Sequence, residues 1–504
     1  MARYKHTDIE YGQNVFLQVN LKEQLIPGTF EYMLNEIINT KIDTSVFDLK
    51  YKNDKTGARA IPPKTLLKLV IYGYFRGQKS SRGIWELNKN NITAKALTGD
   101  MNIHWTTIAD FISGNSEEFK EMFVKVLAYC NELGLVGGET FAIDGLRLPS
   151  NASMSLTGKK EQLEKRLRVY RRMAEKHLAR HQKKDGCGEI DEETIKKFEK
   201  RQKKLNRQME KLSGFIENME KKEGKRGQEI QSNVTDNESA IILSPSGYIQ
   251  GYVGIAVSDK KEQIIVSAQA FGSANEGEHF IEMLEQSEEN IIKIAGEKEW
   301  EEKPKTFLAD KNYFCERNLN ACEDRGIDAV IPDSQTKRRF GTDKEKRYEA
   351  EDFIYNKTED SYKCPNGKKL LYKGEDSIDG NEVKYYRASL TDCRACPVYL
   401  KCIRTKKERN MLDKGKNLVI RKSNDFDGLC RQMRKKLETE KYQEIYAQRI
   451  QIIEPVFANI SYCKGLNRFT LRGKEKINGQ WQLYCMVHNL GKCLNGFNMR
   501  KISA

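Results

Sequence analysis

The chain has 504 residues, of which 32% are charged, and 87 Lys and Arg against 72 Asp and Glu give a formal net charge of +15. That length leaves room for about three domains, and the basic excess suits a polyanionic partner whose phosphates release counterions on binding, although the charge could serve solubility alone. No apolar run reaches the roughly 18–20 residues of a membrane span, and Met1-Ala2-Arg3-Tyr4-Lys5-His6 leads into no apolar signal core, so a soluble, cytoplasmic protein without a membrane partner is expected.

Residues 1–135 read as a helical domain. Pro62-Pro63 opens an apolar-periodic stretch through Leu66, Leu67, Leu69, Val70 and Tyr74 that ends near Gly77, with proline at the start and glycine at the end as helix capping favours. Shorter helices are expected around 83–90 and 106–113, and a longer one over 117–133. Their basic and polar connections, Gln78-Lys79-Ser80-Ser81-Arg82 among them, suit a helix-turn-helix-like DNA binder; a plain helical bundle fits the pattern nearly as well. Over 156–225 the pattern changes. Ile195, Phe198, Leu205, Met209, Leu212, Ile216 and Met219 follow alternating three- and four-residue steps, with Gln202 in one polar place. The partner segment 159–184 carries Leu163, Leu167, Tyr170 and Leu178, with 11 basic residues against 3 acidic. Asp185-Gly186-Cys187-Gly188 separates the two, so a coiled-coil-like antiparallel hairpin is expected, its charges either a solvated face or a phosphate contact.

From 236 the period shifts to two. Strands are expected at 239–243, 251–258 and 263–270, the last two joined by Asp259-Lys260-Lys261. A helix over 276–295, a strand at 306–309, a helix near 314–324 and a strand at 328–331 follow. This alternation argues for a mixed α/β sheet. The core is expected to occupy 136–155 and 226–334. Residues 335–432 read as polar, irregular and Cys-rich, with little core of their own. The last part, 433–504, opens with a helical region from about Met433 to Ser461, with room for a break.

Three carboxylates carry the chemistry. Phe141-Ala142-Ile143-Asp144-Gly145 and Phe307-Leu308-Ala309-Asp310 each read as a short apolar strand delivering an aspartate at its carboxyl end, where sites of open α/β sheets gather; singly, each could be a turn former. The third is Glu454, in Ile452-Ile453-Glu454-Pro455-Val456-Phe457. Pro455 disfavours helical geometry at Glu454 and places it at a helix start or kink. A glutamate with such neighbours needs a partner if buried, a metal ion being one, while a surface glutamate between two helices remains the plain alternative. Converging carboxylates suit two Mg²⁺ or Mn²⁺ ions catalysing in-line phosphoryl transfer. No rival nucleophile stands out: the six histidines are scattered, and neither a Gly-x-Ser-x-Gly elbow nor a Walker-type loop occurs. Separately, Cys364, the pair Cys393 and Cys396 at C-x₂-C spacing, and Cys402 form a candidate Cys₄ set for structural Zn²⁺, with free thiols as the alternative.

At these residues the chain resembles bacterial insertion-sequence DDE transposases with an InsH-like N-terminal domain, specifically the group numbered eleven eighty-two. The stretches that carry the resemblance are Ser81-Arg82, Leu97-Thr98-Gly99, Thr106–Phe111, Phe141–Gly145 with Ser150–Ser153, Thr235-Asp236, Gln250-Gly251-Tyr252, Leu308-Ala309-Asp310 with Tyr313, the cysteine set, Glu454–Phe457, Arg468-Phe469, Leu471-Arg472-Gly473, Trp481 and His488-Asn489-Leu490. The resemblance implies an α/β, ribonuclease H-like mixed-sheet catalytic core with a helical N-terminal domain, a helical-hairpin insertion and a Cys-rich insertion. It implies a nucleoid-associated bacterial enzyme acting on double-stranded DNA, the element's inverted repeats and a target, as a homodimer in synapsis, with Asp144, Asp310 and Glu454 as catalytic metal ligands. Lys79, Arg82, Thr106, Thr107, Tyr446, Arg449, Lys464, Arg468 and Arg472 are the candidate DNA contacts, Tyr446 and Arg449 matching the family's Tyr-x₂-Arg element. Three positions depart from the family: Asn312 stands for a glycine, Ser461 for a lysine that Lys464 could replace, and Val253-Gly254-Ile255 for Asn-x-Gln. The competing class is a transposase-derived DNA-binding protein without catalysis; a zinc-stabilised RNA binder has no recognition motif to support it.

Overall fold

Helix α1 (Phe30–Thr40) buries Phe30, Met33, Leu34, Ile37 and Ile38, the three- and four-residue steps of one face. It belongs to a computed structural model that describes residues 18–51, 59–185, 192–219, 221–224, 227–333, 348, 350–378, 381–403, 413–421 and 429–503. α2 (Pro63–Phe75) has proline in its first turn. α3 (Ser81–Asn90) is capped by Ser80, whose Oγ accepts the Gly83 N–H at 3.1 Å. α4 (Ile92–Thr98), not expected from the pattern, is capped by Asn91 and stopped by left-handed Gly99. α5 (Trp105–Gly114) and α6 (Ser116–Glu132) complete the N-terminal helices.

The central sheet begins with β1 (Thr140–Pro149). A two-residue pairing of β2 (Thr157–Gly158) with β3 (Ser232–Asn233) closes the base of two long helices, α7 (Lys160–Asp185) and α8 (Glu192–Glu217). These two pack on each other through Leu163, Leu167 and Leu212, with Tyr170, Met209, Ile216 and Met219 alongside. The polar place at Gln202 meets His177, 3.2 Å from its Nδ1, and the His177 ring stacks on Phe198 at 4.3 Å. Leu178, expected in the seam, is exposed instead. The connection at 186–191 lies outside the described residues.

Next come β4 (Ala240–Ser244), β5 (Gly247–Asp259), β6 (Ile265–Phe271), α9 (Phe280–Ala295), α10 (Glu297–Glu302), β7 (Thr306–Ala309), α11 (Glu316–Glu323) and β8 (Asp328–Val330). The strands form one mixed sheet in the order β4-β5-β1-β7-β8, with β6 also on β5. β1, β4 and β6 run antiparallel to β5, whereas β1, β7 and β8 are mutually parallel. The fold is thus a mixed α/β sheet clad with helices, as the alternation of periods predicts.

Two expectations need correction. Residues 335–432 are not irregular throughout. β9 (Ile354–Asn356), β10 (Ser361–Lys363), β11 (Lys369–Ile378), β12 (Asn381–Ala388) and β13 (Asn417–Arg421) form a second, wholly antiparallel sheet. It has its own core of Phe353, Tyr362, Leu370, Tyr386, Ala388, Cys393 and Leu418. Tyr355 and Tyr386 both donate to Asp360 Oδ1, at 2.9 and 2.7 Å. The strands read as polar because lysines and acids fill many of their outward positions, while two of the inward ones are the tyrosines Tyr362 and Tyr386. Short helices α12 (Leu390–Arg394) and α13 (Tyr399–Cys402) sit between β12 and β13.

The second correction concerns Pro455. α14 (Leu429–Leu437) is followed by α15 (Glu440–Ala458), which runs unbroken through Glu454 and Pro455 and ends in a π-turn at Asn459–Cys463. Proline offers no N–H to the carbonyl four residues back. That carbonyl, Gln451 O, takes Gln263 Nε2 at 2.8 Å instead, so the helix continues.

α16 (Lys474–Ser503) closes the chain. Trp481, Leu483, Tyr484, Cys485, Met486, Val487 and Leu490 are all fully buried, so the helix is covered around most of its circumference and shows no amphipathic period to read. Its amides serve the open edge of β6. Asn489 accepts Ile265 N–H and donates to Ile265 O, each at 2.8 Å, and Asn478 accepts Ala270 N–H at 3.0 Å. Its other side rests on the N-terminal helices, Tyr74 stacking on Tyr484 at 4.2 Å, and a single apolar core runs from Phe30 to Phe497.

Candidate active site

β1 and β7 pair in register up to Ile143 opposite Ala309, so the next residue of each is an aspartate. Asp144 is not at the end of β1, as expected, because β1 continues to Pro149 against β5 alone. It stands where the parallel neighbour leaves the sheet, which opens a notch beside it. Asp310 caps the turn Lys311–Tyr313, its Oδ1 accepting Lys311 N–H at 2.6 Å.

Both aspartates are engaged. Asp144 Oδ1 accepts Gly145 N–H at 2.9 Å, and Oδ2 is bound by Arg449 Nη1 of α15 at 3.0 Å. Arg449 is 9% exposed. Burial opposes its charge, but Asp144 beside it leaves the guanidinium held above its usual range. Its Nε finds no partner among the described residues. Tyr446, one turn earlier, is pushed up by burial and lies in the field of Arg449, Asp310 and Asp144.

Glu276, which the sequence reading did not single out, is buried behind this pair. It begins the turn Glu276–His279 before α9, and its Oε1 takes Arg147 Nε at 2.8 Å. Burial raises its carboxyl, Arg147 draws it down, and the charges of Asp144 and Asp310 raise it again. A Cβ on Gly145 would come within 2.9 Å of Glu276 Cδ, so only glycine lets this carboxyl approach the strand. The Tyr313 hydroxyl is wholly buried among the same three acids and lacks a partner among the described residues. The one hint in the sequence was Glu276-Gly277 at the start of a helical stretch, five residues after the end of β6.

Glu454 is exposed on α15, with Ile453 and Val456 turned into the core beside it. The Arg449–Asp144 ion pair is made by the same helix five residues earlier. Among the described residues no group of three or more His, Cys, Asp or Glu side chains is arranged to hold a metal ion. The chemistry of the pair nevertheless suits a hard cation: two carboxylates at adjacent strand positions, a third acid behind them and an orphaned buried hydroxyl.

The candidate DNA contacts divide. Lys79, half-buried on the connection before α3, reaches Asn467 Oδ1 with its Nζ at 2.6 Å, and Thr106, exposed in the first turn of α5, is held by His104. Thr107 follows it, half-buried, and the Arg82 guanidinium lies 4.7 Å over Trp105. Arg468 and Arg472 hold the segment after β1, donating to Ser150 O at 3.1 Å and Asn151 O at 2.6 Å. Lys464 is buried, its Nζ 3.8 Å from the Phe75 ring centre. The stretches Thr235-Asp236 and Gln250-Gly251-Tyr252 meet away from the aspartates, where Tyr252 donates to Asp236 Oδ1 at 2.8 Å.

The four cysteines of the second sheet line one cavity with Asn366, Lys368 and Lys416. Lys368 N–H and Lys416 N–H donate to the sulfurs of Cys364 and Cys393, each at 3.3 Å, and Asn366 Nδ2 lies 3.5 Å from that of Cys396. Burial raises Cys393 and pushes Cys402 up to about 11.

Two families match the chain. The transposase domain DUF772 covers residues 19–114, the helices α1 to α5, and the transposase DDE domain covers 363–494, which includes the cysteines and Glu454. No curated protein and no solved structure matches. The chain thus carries a transposase domain toward each end, and the two matches together support an insertion-sequence transposase of the DDE kind. No described helix is long and apolar enough to cross a membrane.

Proposed function

We propose that the protein binds the terminal inverted repeats of an insertion sequence of the group numbered eleven eighty-two and catalyses metal-dependent DNA cleavage and strand transfer. The observation that carries this reading is the register of β1 with β7, which sets Asp144 and Asp310 side by side in a chain with two transposase domains. The β4-β5-β1-β7-β8 order, two antiparallel pairings and then two parallel ones, with β6 antiparallel on β5, suits a ribonuclease H-like core. α1 to α6 would form the DNA-binding part, α7 and α8 an inserted basic arm and dimer contact, and the second sheet a further insertion.

Asp144 and Asp310, with Glu454, would hold Mg²⁺ or Mn²⁺, which when bound neutralises charge at the phosphate and lowers the pKa of the attacking hydroxyl. The chain's own residues orient the rest. Arg449 fixes Asp144 and is available to pair with a phosphate oxygen, and Tyr446 supports Arg449. Glu454 lies five residues beyond Arg449 on α15, about 1.4 turns and so on a different side of the helix, and a rotation of that helix on DNA binding would bring it toward the aspartates. The cysteine cavity has the thiol set and the N–H···S donors that a structural Zn²⁺ uses.

A non-catalytic, transposase-derived DNA-binding protein is the second reading, favoured by the exposed Glu454. Cleavage of a labelled duplex carrying the element ends, with Mg²⁺ or Mn²⁺ against EDTA, separates the two. Metal-dependent nicking lost in Asp310→Asn is expected. Tight binding without cleavage under any metal would establish the second reading.

A further inference from the structure

Glu276 is 3% exposed and sits against the strand that carries Asp144. Its turn is locked to the turn that follows Asp310. Asn318 Nδ2, itself buried, donates to Gly277 O at 3.0 Å and to Tyr313 O at 2.9 Å, bridging the two. Gly277 comes so close to Asn312 O that a Cβ there would lie 2.3 Å from it. The start of α9, which carries Glu276, is thereby held against the turn that follows Asp310.

A structural ion pair would account for Glu276 and Arg147 alone. It does not account for Tyr313, whose hydroxyl is fully buried in the field of Glu276, Asp144 and Asp310 and has no hydrogen-bond partner among the described residues. A buried hydroxyl left unsatisfied forfeits the hydrogen bonds it would make in water. Its surroundings call for a ligand carrying donors or water, which a hydrated cation supplies. Arg147 pairs with Glu276 and Arg449 with Asp144, while Asp310 makes no ion pair among the described residues.

We propose that Glu276 is a positioning residue of a divalent-cation site at Asp144 and Asp310, supplying the third negative charge and holding the turn that aims Asp310. This rests on the reading of those aspartates as a cation site. The cation is hard and hydrated, of the Mg²⁺ or Mn²⁺ type, and it displaces Arg449 from Asp144 Oδ2 as it binds.

The test is Mn²⁺ titration of the full chain without DNA, followed by the EPR signal of free Mn²⁺. Glu276→Gln is expected to weaken binding roughly 10- to 100-fold, the range for residues that support metal ligands. Glu276→Asp should recover part of that loss, and Arg147→Gln, which keeps the carboxylate, should bind at least as tightly as the parent. Should Glu276→Gln misfold, Arg147→Met/Glu276→Gln removes the pair as a unit and is read in the same way. If that variant or Glu276→Gln binds Mn²⁺ like the parent while Asp144→Asn and Asp310→Asn do not, Glu276 is only a structural partner of Arg147. If the aspartate variants also bind like the parent, the cation site itself is wrongly placed.

Discussion

His488 sets a pH limit on the stability of this protein. It lies in α16, 2% exposed, and its Nε2–H donates to Gln263 O at 2.9 Å. Burial, with Lys492 and Lys464 nearby, lowers its pKa from 6.5 to about 4. The unfolded chain therefore takes up a proton near pH 6.5 that the folded chain refuses until about pH 4. The neutral ring's contribution is fully present above pH 6.5 and is lost as pH falls toward 4. That shift amounts to about 3 kcal/mol in full, and to about 2 kcal/mol at pH 5. Urea unfolding of the parent and His488→Gln between pH 7.5 and 5, followed by the fluorescence of buried Trp481, reads this directly. The variant is expected to be the less stable at pH 7.5 and to lose about 2 kcal/mol less than the parent on going to pH 5. Parallel losses in the two proteins would refute the argument, because every other titrating group is shared.

Gly277→Ala should cost about 1–3 kcal/mol by melting, since its new methyl meets Asn312 O, and should reduce Mn²⁺ binding as Asp310's turn shifts. Lys464→Met should leave affinity for element-end DNA unchanged by fluorescence anisotropy, because the ammonium is spent on Phe75; a tenfold loss would put that lysine on a phosphate. Gln263→Ala should cost about 1 kcal/mol in the parent and close to nothing in a Pro455→Ala background, where the backbone N–H regained at that position serves Gln451 O; equal costs in both would deny the link. Metal analysis of the purified chain should find zinc that Cys396→Ser loses together with thermal stability; an equally stable, zinc-free parent would leave the cysteines as thiols.

Asp144 and Asp310 were legible because apolar strands ending in aspartate carry their own signal: uniform burial, then one charge. Their neighbours were not. Glu276 looks like any acid at a helix start, and its meaning depends on Gly145, 131 residues earlier by the numbering, leaving room for it. Pro455 reads as a break because local rules cannot see Gln263 reaching Gln451 from another element. The second sheet was hidden by outward lysines, and α16 by its own success in being buried on nearly every side. Of the acids expected to converge, Glu454 is the one whose position the sequence motif could name but whose approach to the others depends on how α15 is seated.

α16 has a consequence for how the protein comes into being. The helices at 30–132 lean on a segment that a ribosome makes more than 300 residues later, and β6 keeps an unfilled edge until Asn478 and Asn489 arrive. An unfinished chain is thus a chain with exposed apolar faces and an open strand, prone to capture or degradation. A frameshift or stop codon before residue 474 would take away the support of the helices at 30–132 and of the β6 edge in one stroke.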